Sequence, residues 1–233
     1  MAAADHKEKP SVPEALGIIM DGNRRYARAR NLPLMRGHEA GYEKLKEFLR
    51  WAKEAGVRTV YAYAFSTENW NRAKKEVGYL VRLLERAIID EEDELKKEKI
   101  SVRFIGELDR FSPKLQEAMK KIERETRGHP HTLVLAVSYG GRAELLTALK
   151  KLAKEGKETI TEENFSKYLY TAGLPDPDLI IRTSGEVRTS NFLPWQSAYS
   201  EWYFTKTLWP AFEKKEFDHI LADYAARERR NGK

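Results

Sequence analysis

The stretch IIMDGNRRYA, residues 18–27, ends an apolar run abruptly in an acid, a glycine and an amide, and two arginines follow at once. The run ALGIIM (15–20) predicts a short buried strand, and the residues after Asn23 predict a helix. Gly22 would let the backbone approach a ligand closely, and the free amides of a helix start attract anions. The stretch therefore predicts a strand, an anion-binding turn and a helix in direct succession.

The same alternation of strand and helix continues along the chain. Further strands are predicted at 58–65, 100–106, 132–139 and 178–183, followed by an apolar segment at 200–205. Helices are predicted at 38–56, 76–98, 112–126, 141–156 and from about 212 to 230. Because parallel strands need long crossover connections, this order favours one α/β domain with a mainly parallel central sheet flanked by helices. We expect that domain over 14–233, after a flexible tail at 1–13.

The composition excludes several classes of protein. The 233 residues are 41% hydrophobic, enough for a sizeable core, and 42 Lys and Arg against 36 Asp and Glu leave a net charge of only +6. This modest excess argues against a nucleic-acid partner bound by bulk charge. The absence of cysteine excludes disulfides, thiolate metal clusters and a cysteine nucleophile. Since the sequence contains no run of about 18 apolar residues, we expect a soluble, cytoplasmic protein.

Four polar segments follow the predicted strands, where ligands bind in open parallel sheets. They are DGNRR (21–25), STENWNR (66–72), YGGR (139–142) and RTSGEVRTSN (182–191). These segments combine arginine with glycine or hydroxyl side chains, which is typical of phosphate binding. The sequence lacks the motifs of nucleotide P-loops, dinucleotide-binding folds, G-x-S-x-G hydrolases and HExxH zinc enzymes. These segments therefore predict phosphate-bearing substrates other than classical nucleotides.

The acid in DGNRR indicates a metal ion. Asp21 would repel a bare phosphate, so its position is best explained by Mg²⁺ lying between the carboxylate and phosphate oxygens. Arg24 and Arg25 would then add charge-assisted hydrogen bonds. The alternative is that Asp21 or Asn23 caps the helix and the arginines lie in solvent.

The segment RTSGEVRTSNF (182–192) predicts a second diphosphate site, because Arg182, Arg188 and Ser190 share one loop around Gly185. The alternative is a surface turn in which the arginines pair with Glu186. Two arginine-rich loops at one sheet edge indicate two phosphate-bearing substrates.

Five motifs, DGNRRYA (21–27), GHEAG (37–41), FSTENWNR (65–72), RTSGEVRTSNF (182–192) and LWPAF (208–212), resemble those of the cis-prenyltransferases, the family of undecaprenyl and dehydrodolichyl diphosphate synthases. Arg24 and Tyr26 make the chain look closer to archaeal or eukaryotic relatives. The resemblance implies a Mg²⁺-dependent homodimer that adds isopentenyl diphosphate to an allylic primer, farnesyl or geranylgeranyl diphosphate, with cis geometry. Its implied product is a medium- to long-chain polyprenyl diphosphate, and this lipid implies peripheral membrane contact.

Carried over residue by residue, the resemblance implies catalytic roles for Asp21, Asn23, Arg25, His38, Ser66 and Asn69. It implies substrate binding by Gly22, Arg24, Tyr26, Glu68, Trp70, Arg72, Arg182, Arg188, Ser190, Arg230 and Gly232. It also implies Mg²⁺ ligation by Asp21 and Glu201, either within the chain or across the dimer. The proton acceptor stays open among Asn23, Ser66, His38 and a diphosphate oxygen.

Two further expectations concern departures from the family pattern and the lipid tail. Leu34 occupies the position of a family arginine, so that phosphate contact is either absent or supplied by Arg36. An apolar tunnel is implied by the family, and the candidates to line it are Tyr79, Leu83, Ile89, Val60, Ala62, Leu135 and Val137. Each of these residues is alternatively explained by core packing.

Two other functions are compatible with parts of the sequence. A noncatalytic partner subunit of a heteromeric prenyltransferase would share the fold, but such subunits typically lose the acid that this chain keeps at Asp21. A phosphosugar or nucleotide enzyme on an open sheet would need a polar pocket in place of a long apolar one.

Overall fold

The computed structural model describes residues 12–155 and 160–227. Its strands are β1 Ala15–Ile19, β2 Thr59–Ser66, β3 Ile100–Ile105, β4 His131–Tyr139, β5 Leu179–Arg182 and β6 Glu201–Phe204. They form one sheet in the order β3-β4-β2-β1-β5-β6, and every neighbouring pair is parallel. The predicted α/β class and parallel sheet are therefore confirmed.

Helices cover both faces of the sheet. They are α1 Asn23–Ala29, α2 Leu34–Glu54, α3 Lys74–Asp90, α4 Glu92–Lys97, α5 Pro113–Glu125, α6 Gly141–Lys154, α7 Glu162–Ser166 and α8 Lys214–Ala226. Short 3₁₀ turns occupy Thr67–Asn71, Leu108–Arg110 and Trp209–Ala211. In the described part of the chain, no helix combines the length and the apolar character that a membrane span requires.

Three sequence predictions differ from the structure in their bounds. The predicted helix 76–98 is two helices, because the chain leaves helical geometry at Glu91 (φ −98°, ψ 0°). The helix predicted to begin at His38 begins at Leu34, so His38 lies inside α2. The last helix is described from Lys214 to Ala226. Residues 1–11 of the predicted tail lie outside the described residues, so the limits 1–13 and 14–233 stay predictions.

The two faces of β1 enter two different hydrophobic clusters. Leu16 and Ile18 pack with Phe48 of α2 on one face, whereas Ala15 and Ile19 pack with residues of the other face. Successive side chains of a strand point to opposite faces, so a strand covered on both sides is apolar throughout. This explains why ALGIIM reads as a continuous apolar run.

Helix α3 packs differently from the other long helices. Of its residues, all of which the structure describes, Ile88 is the one that is fully buried. Its apolar stripe covers a cavity of about 170 Å³ between the helix and the sheet. Polar contacts join α2 to α3 and its C-terminal end: His38–Glu76 at 3.4 Å, Glu39–Tyr79 at 2.7 Å and Tyr42–Glu91 at 2.6 Å. Polar contacts thus hold the edge of α3, and a cavity separates its apolar stripe from the sheet.

Two glycines let α1 pack closely on α2. A Cβ at Gly37 would overlap the backbone oxygen of Asn23, and a Cβ at Gly41 would overlap its side-chain Oδ1. The position of Asn23, and with it the turn after β1, therefore depends on the absence of side chains at these positions.

We predict that Gly41→Ala lowers the free energy of unfolding by about 1–3 kcal/mol, because the added methyl group displaces Asn23 and α1. The matched control is Gly78→Ala in α3, where a Cβ would lie 3.5 Å from the flexible end of Arg82. That change should stabilise the helix by up to about 1 kcal/mol. Urea unfolding of both variants measures the difference, and equal effects would contradict this packing.

Candidate active site

A cleft of about 650 Å³ lies at the carboxyl ends of the central strands. The pairing of Ile19 with Tyr63 and with Arg182 brings the ends of β1, β2 and β5 to this edge. The predicted site residues that line the cleft are Asp21, Gly22, Asn23, Arg24, Arg25, His38, Ser66, Glu68, Asn69, Arg72, Arg182, Arg188 and Ser190. The structure therefore brings most of the predicted set together.

Arg182 connects the main parts of the cleft. Its side chain is only 4% exposed, and its Nη2 donates to Asp21 Oδ2 at 3.0 Å. Its Nη1 donates to Ser190 Oγ and to the backbone oxygen of Arg188, both at 2.6 Å. Its Nε is buried without a hydrogen-bond partner among the described residues. One buried guanidinium thus fixes the acid after β1 and the loop after β5, and leaves one donor free.

The helix-cap alternative for DGNRR does not hold. Gly22 occupies the N-cap position of α1 with φ 115°, a backbone conformation that favours glycine. A Cβ there would also lie 3.0 Å from Leu208 Cα. Asp21 is instead about one third exposed in the cleft, with Oδ1 3.6 Å from Arg25 Nη2. The exposed part of the carboxylate therefore faces the cleft, where a ligand can reach it.

The two predicted arginine loops meet through Glu186. Its carboxylate pairs with Arg188 and lies 3.3 Å from Arg25 Nη1. The surface-turn alternative is therefore correct for Arg188 and wrong for Arg182, which pairs with Asp21, and both of these arginines line the cleft. Arg25 additionally bonds Ser184, its Nη1 donating to the backbone oxygen at 2.9 Å. Arg25 therefore groups with residues at and after the end of β5. We call these four side chains the β5 cluster: Arg25, Arg182, Arg188 and Ser190.

A second group of basic side chains surrounds Glu76, and we call it the α3 cluster: Arg24, His38 and Arg72. Glu76 Oε1 lies 3.1 Å from Arg72 Nη1, 3.4 Å from His38 Nε2 and 3.7 Å from Arg24 Nε. Burial, and then the charge of Arg72, lowers the pKa of His38. The imidazole is therefore mainly neutral at neutral pH, and His38 serves neither as a helix cap nor as a fixed positive charge.

Two predicted binding residues, Trp70 and Tyr26, lie outside the cleft, and two more fall outside the described part of the chain. Trp70 is partly buried and packs against the core, with its ring centroid 5.0 Å from that of Phe65, and it donates from Nε1 to Ser138 Oγ at 2.9 Å. Tyr26 contacts the guanidinium of Arg30, 3.8 Å from the ring centroid. Arg230 and Gly232 are outside the described residues.

The predicted metal pair is not brought together within one chain. Glu201 pairs with Leu179 at the amino end of β6 and bonds Arg227 at 2.8 Å. Asp21 follows the carboxyl end of β1, so the two carboxylates stand at opposite ends of the sheet, separated by roughly 10 Å or more along the strands. Only the arrangement across a dimer stays a prediction.

Arg36 does not replace the arginine missing at Leu34. It is 68% exposed, pairs with Glu39 at 2.8 Å and does not line the cleft. The basic residues of α1 that do line the cleft are Arg24, Arg25 and Arg28. Arg28 was not expected from the sequence, although it follows Arg24 at helical spacing and so shares its face.

Two more residues that line the cleft, Tyr63 and Asn191, were not predicted from the sequence. The Tyr63 hydroxyl lies 3.2 Å from the backbone oxygen of Tyr139 and 3.3 Å from that of Ser190. Asn191, at φ 63°, accepts from the amide of Arg142 at 2.9 Å and donates to Glu68 at 3.2 Å. Asn191 thereby joins three of the four predicted segments. Asparagine adopts positive φ angles more readily than most residues, and this preference was the one signal in the sequence for the role of Asn191.

The apolar cavity under α3 adjoins the cleft. The residues that line both are Met20, Asn23, His38, Ala64 and Leu80. Leu83, Leu135 and Val137 line the cavity as predicted, whereas Val60 and Ala62 lie in the core. Tyr79 bonds Glu39, and Ile89 is 55% exposed. Leu80, Val81, Leu84 and Ile88, which recur at helical spacing along α3, also line the cavity.

Away from the cleft, the cavity meets a polar trio, Tyr42, Lys46 and Glu91. Glu91 Oε1 accepts from the Tyr42 hydroxyl at 2.6 Å and from Lys46 Nζ at 3.1 Å. Burial raises the pKa of Tyr42 far above its usual value, so it stays a neutral donor. The trio therefore forms a polar boundary on this side of the largely apolar cavity.

We predict that Trp70→Phe lowers the free energy of unfolding by about 1–3 kcal/mol, because it leaves the buried Ser138 hydroxyl without its donor. Substrate KM values should change less than about twofold, since Trp70 does not line the cleft. Urea unfolding and steady-state kinetics test this together. Unchanged stability with a large rise in KM would restore Trp70 to the binding site.

The chain matches the family model described as "Putative undecaprenyl diphosphate synthase" over residues 19–232. An isoprenyl transferase of Thermus thermophilus is 46% identical over 95% of this chain and 89% of that protein. A tritrans,polycis-undecaprenyl-diphosphate synthase (geranylgeranyl-diphosphate specific) of Picrophilus torridus is also 46% identical, over 97% and 92%. These two relatives are equally identical to this chain, so the predicted closeness to archaeal or eukaryotic members stays a prediction.

A solved structure agrees with these relatives. Lavandulyl diphosphate synthase from Lavandula x intermedia, in complex with dimethylallyl diphosphate, matches with a TM-score of 0.92 and 33% identity, over 97% of this chain and 100% of that one. The family model and the relatives both extend over nearly the whole chain. This chain therefore belongs to the undecaprenyl diphosphate synthase family of prenyltransferases.

Proposed function

We propose that this chain is a cis-prenyltransferase, which condenses isopentenyl diphosphate with an allylic primer, farnesyl or geranylgeranyl diphosphate, to make a medium- to long-chain polyprenyl diphosphate. One observation supports this most directly: a cleft lined by arginines shares five residues with an apolar cavity. A substrate with a doubly charged head and a long hydrocarbon tail matches that pair of environments. A phosphosugar or nucleotide enzyme would have no use for the apolar half.

The positions of the two basic clusters suggest which substrate each one binds. His38 of the α3 cluster borders the apolar cavity, whereas Arg25 and Arg188 of the β5 cluster line the cleft alone. A primer with its tail in the cavity would therefore place its diphosphate at the α3 cluster. Isopentenyl diphosphate, which has a short apolar part, would bind at the β5 cluster.

The reaction follows from this placement. The allylic carbon–oxygen bond breaks and its electron pair leaves with the primer diphosphate, whose growing negative charge the α3 cluster stabilises. The isopentenyl double bond supplies the electrons of the new carbon–carbon bond, and the isopentenyl unit then loses a proton to restore an alkene. Because both diphosphates are held by fixed arginines, the encounter becomes effectively intramolecular.

The residues of the cleft fit a Mg²⁺ ion that takes few of its ligands from the protein. Asp21 presents one carboxylate to the cleft, and the described residues contain no group of three or more side chains that could hold a metal by themselves. A hard cation here would complete its shell with diphosphate oxygens and water, as Mg²⁺ commonly does. When bound, the ion would neutralise diphosphate charge and so favour its departure.

A homodimer and peripheral membrane contact complete the proposal. Glu201 could join an Asp21 site only from a second chain, given its position at the far end of the sheet. A lipid product would draw the enzyme towards a bilayer surface. The alternative, a noncatalytic partner subunit, is disfavoured by the partly exposed side chains of Arg25 and Asp21 in the cleft.

We predict that Asp21→Asn lowers kcat by about 10²–10³-fold, because the charge facing the diphosphates is lost. Incorporation of labelled isopentenyl diphosphate, with either primer and with Mg²⁺ or a chelator, measures it. Asp218→Asn is the control, since Asp218 is exposed on α8 and pairs with Lys214. A pure parent protein that makes no product with either primer would contradict the proposal.

We further predict that Tyr42→Ala, or Glu91→Ala, lengthens the products by at least about one isoprene unit, because removing the polar trio extends the apolar space. Chain lengths are read by mass spectrometry. Lys53→Ala is the matched control: Lys53 of α2 bonds Glu98 just after α4 at 2.6 Å, outside the cavity lining. Longer products from the control as well would attribute the effect to general loosening.

A further inference from the structure

Glu76 is a carboxylate that the proposed chemistry does not use. It lies in the first turn of α3, its side chain is 12% exposed, and it does not line the cleft. Glu76 therefore contacts basic residues of the cleft without forming part of the cleft wall itself.

The three members of the α3 cluster come from three different segments. Arg24 belongs to α1, His38 to α2 and Arg72 follows the 3₁₀ turn Thr67–Asn71. All three meet a single oxygen, Glu76 Oε1, at 3.1 to 3.7 Å. Within the described ranges, Glu76 is the one carboxylate paired with each of them. Their mutual arrangement thus depends on one acceptor.

One detail indicates that this arrangement is unfinished without a ligand. Arg24 Nε is buried and lacks a hydrogen bond within the described part of the chain, since its 3.7 Å separation from Glu76 is too long for one. The neutral His38 ring donates from Nε2 to Glu76 in the tautomer that this contact requires. Donors are therefore oriented beside the cleft, and one of them has no acceptor.

We propose that Glu76 is a positioning residue, which holds Arg24, His38 and Arg72 in the arrangement that receives the primer diphosphate. The inference rests on the proposed function, because it assigns the α3 cluster to the primer. Arg24 and Arg72 keep 43% and 29% of their side chains exposed. Without Glu76, these long side chains would move into solvent, and binding would have to order them again.

The sign of the effect separates positioning from simple electrostatics. A carboxylate near an anion site repels the anion, so its removal should tighten diphosphate binding if charge alone matters. Loss of positioning should weaken it. The two explanations predict opposite changes in the KM of the primer.

We expect Glu76→Gln to raise the KM for farnesyl diphosphate about 10-fold, since the Arg72 hydrogen bond loses its charged acceptor and Arg24 loses its ion-pair partner. The KM for isopentenyl diphosphate should stay within about twofold, because Glu76 has no contact with the β5 cluster. Glu76→Asp, which keeps the charge but shortens the reach, should fall between the two.

The control is Glu39→Gln. Glu39 also joins α2 to α3, through the Tyr79 hydroxyl at 2.7 Å, but does not line the cleft. Its primer KM should not change. An unchanged or lower primer KM in Glu76→Gln, or an equal rise for both substrates, would overturn the inference.

Binding of inorganic pyrophosphate, measured by calorimetry, distinguishes this failure from failure of the proposed function. If the parent protein condenses no primer, the function is wrong. Weaker pyrophosphate binding in Glu76→Gln than in Glu39→Gln would still support positioning, and equal binding in both would overturn it.

Discussion

The ion pair between Asp21 and the buried Arg182 is the contact on which the rest of the site depends. It joins the turn after β1 to the end of β5, and the parallel register of Ile19 with Arg182 sets its geometry. The same guanidinium holds the loop of Ser190. Removing Asp21 would leave the buried guanidinium of Arg182 without its carboxylate partner, at a cost of about 3–5 kcal/mol. The pairing of β1 with β5 thus fixes the distance between Asp21 and the two arginine-rich loops.

The second constraint is the space under α3. A helix normally gains stability by burying its apolar stripe, but α3 leaves most of that stripe over a cavity and is held at its edges by Glu39, Glu76 and Glu91. An apolar hydrocarbon in this cavity would complete the missing contacts. The proposed function thus requires the incomplete packing under α3, because a hydrocarbon tail would fill this cavity.

The sequence predicted the sheet, the helices and the gathering of DGNRR, STENWNR and RTSGEVR at one edge, because strand order and strand ends are local patterns. It did not predict which side chains turn away. Trp70 enters the core through a bond to Ser138, and Glu201 stands at the wrong end of β6 for a metal site within one chain. Periodicity likewise marked the stripe of α3 but could not reveal a cavity beneath it, since that depends on how three elements pack.

The most direct measurement is a crystal structure with a nonreactive thio analogue of the allylic primer and Mg²⁺. The account predicts the diphosphate between Asp21 and the side chains of Arg24 and Arg72, with the hydrocarbon between α3 and the sheet, against Leu84 and Val137. A hydrocarbon chain lying outside this cavity, or a diphosphate bound away from Asp21, would contradict it.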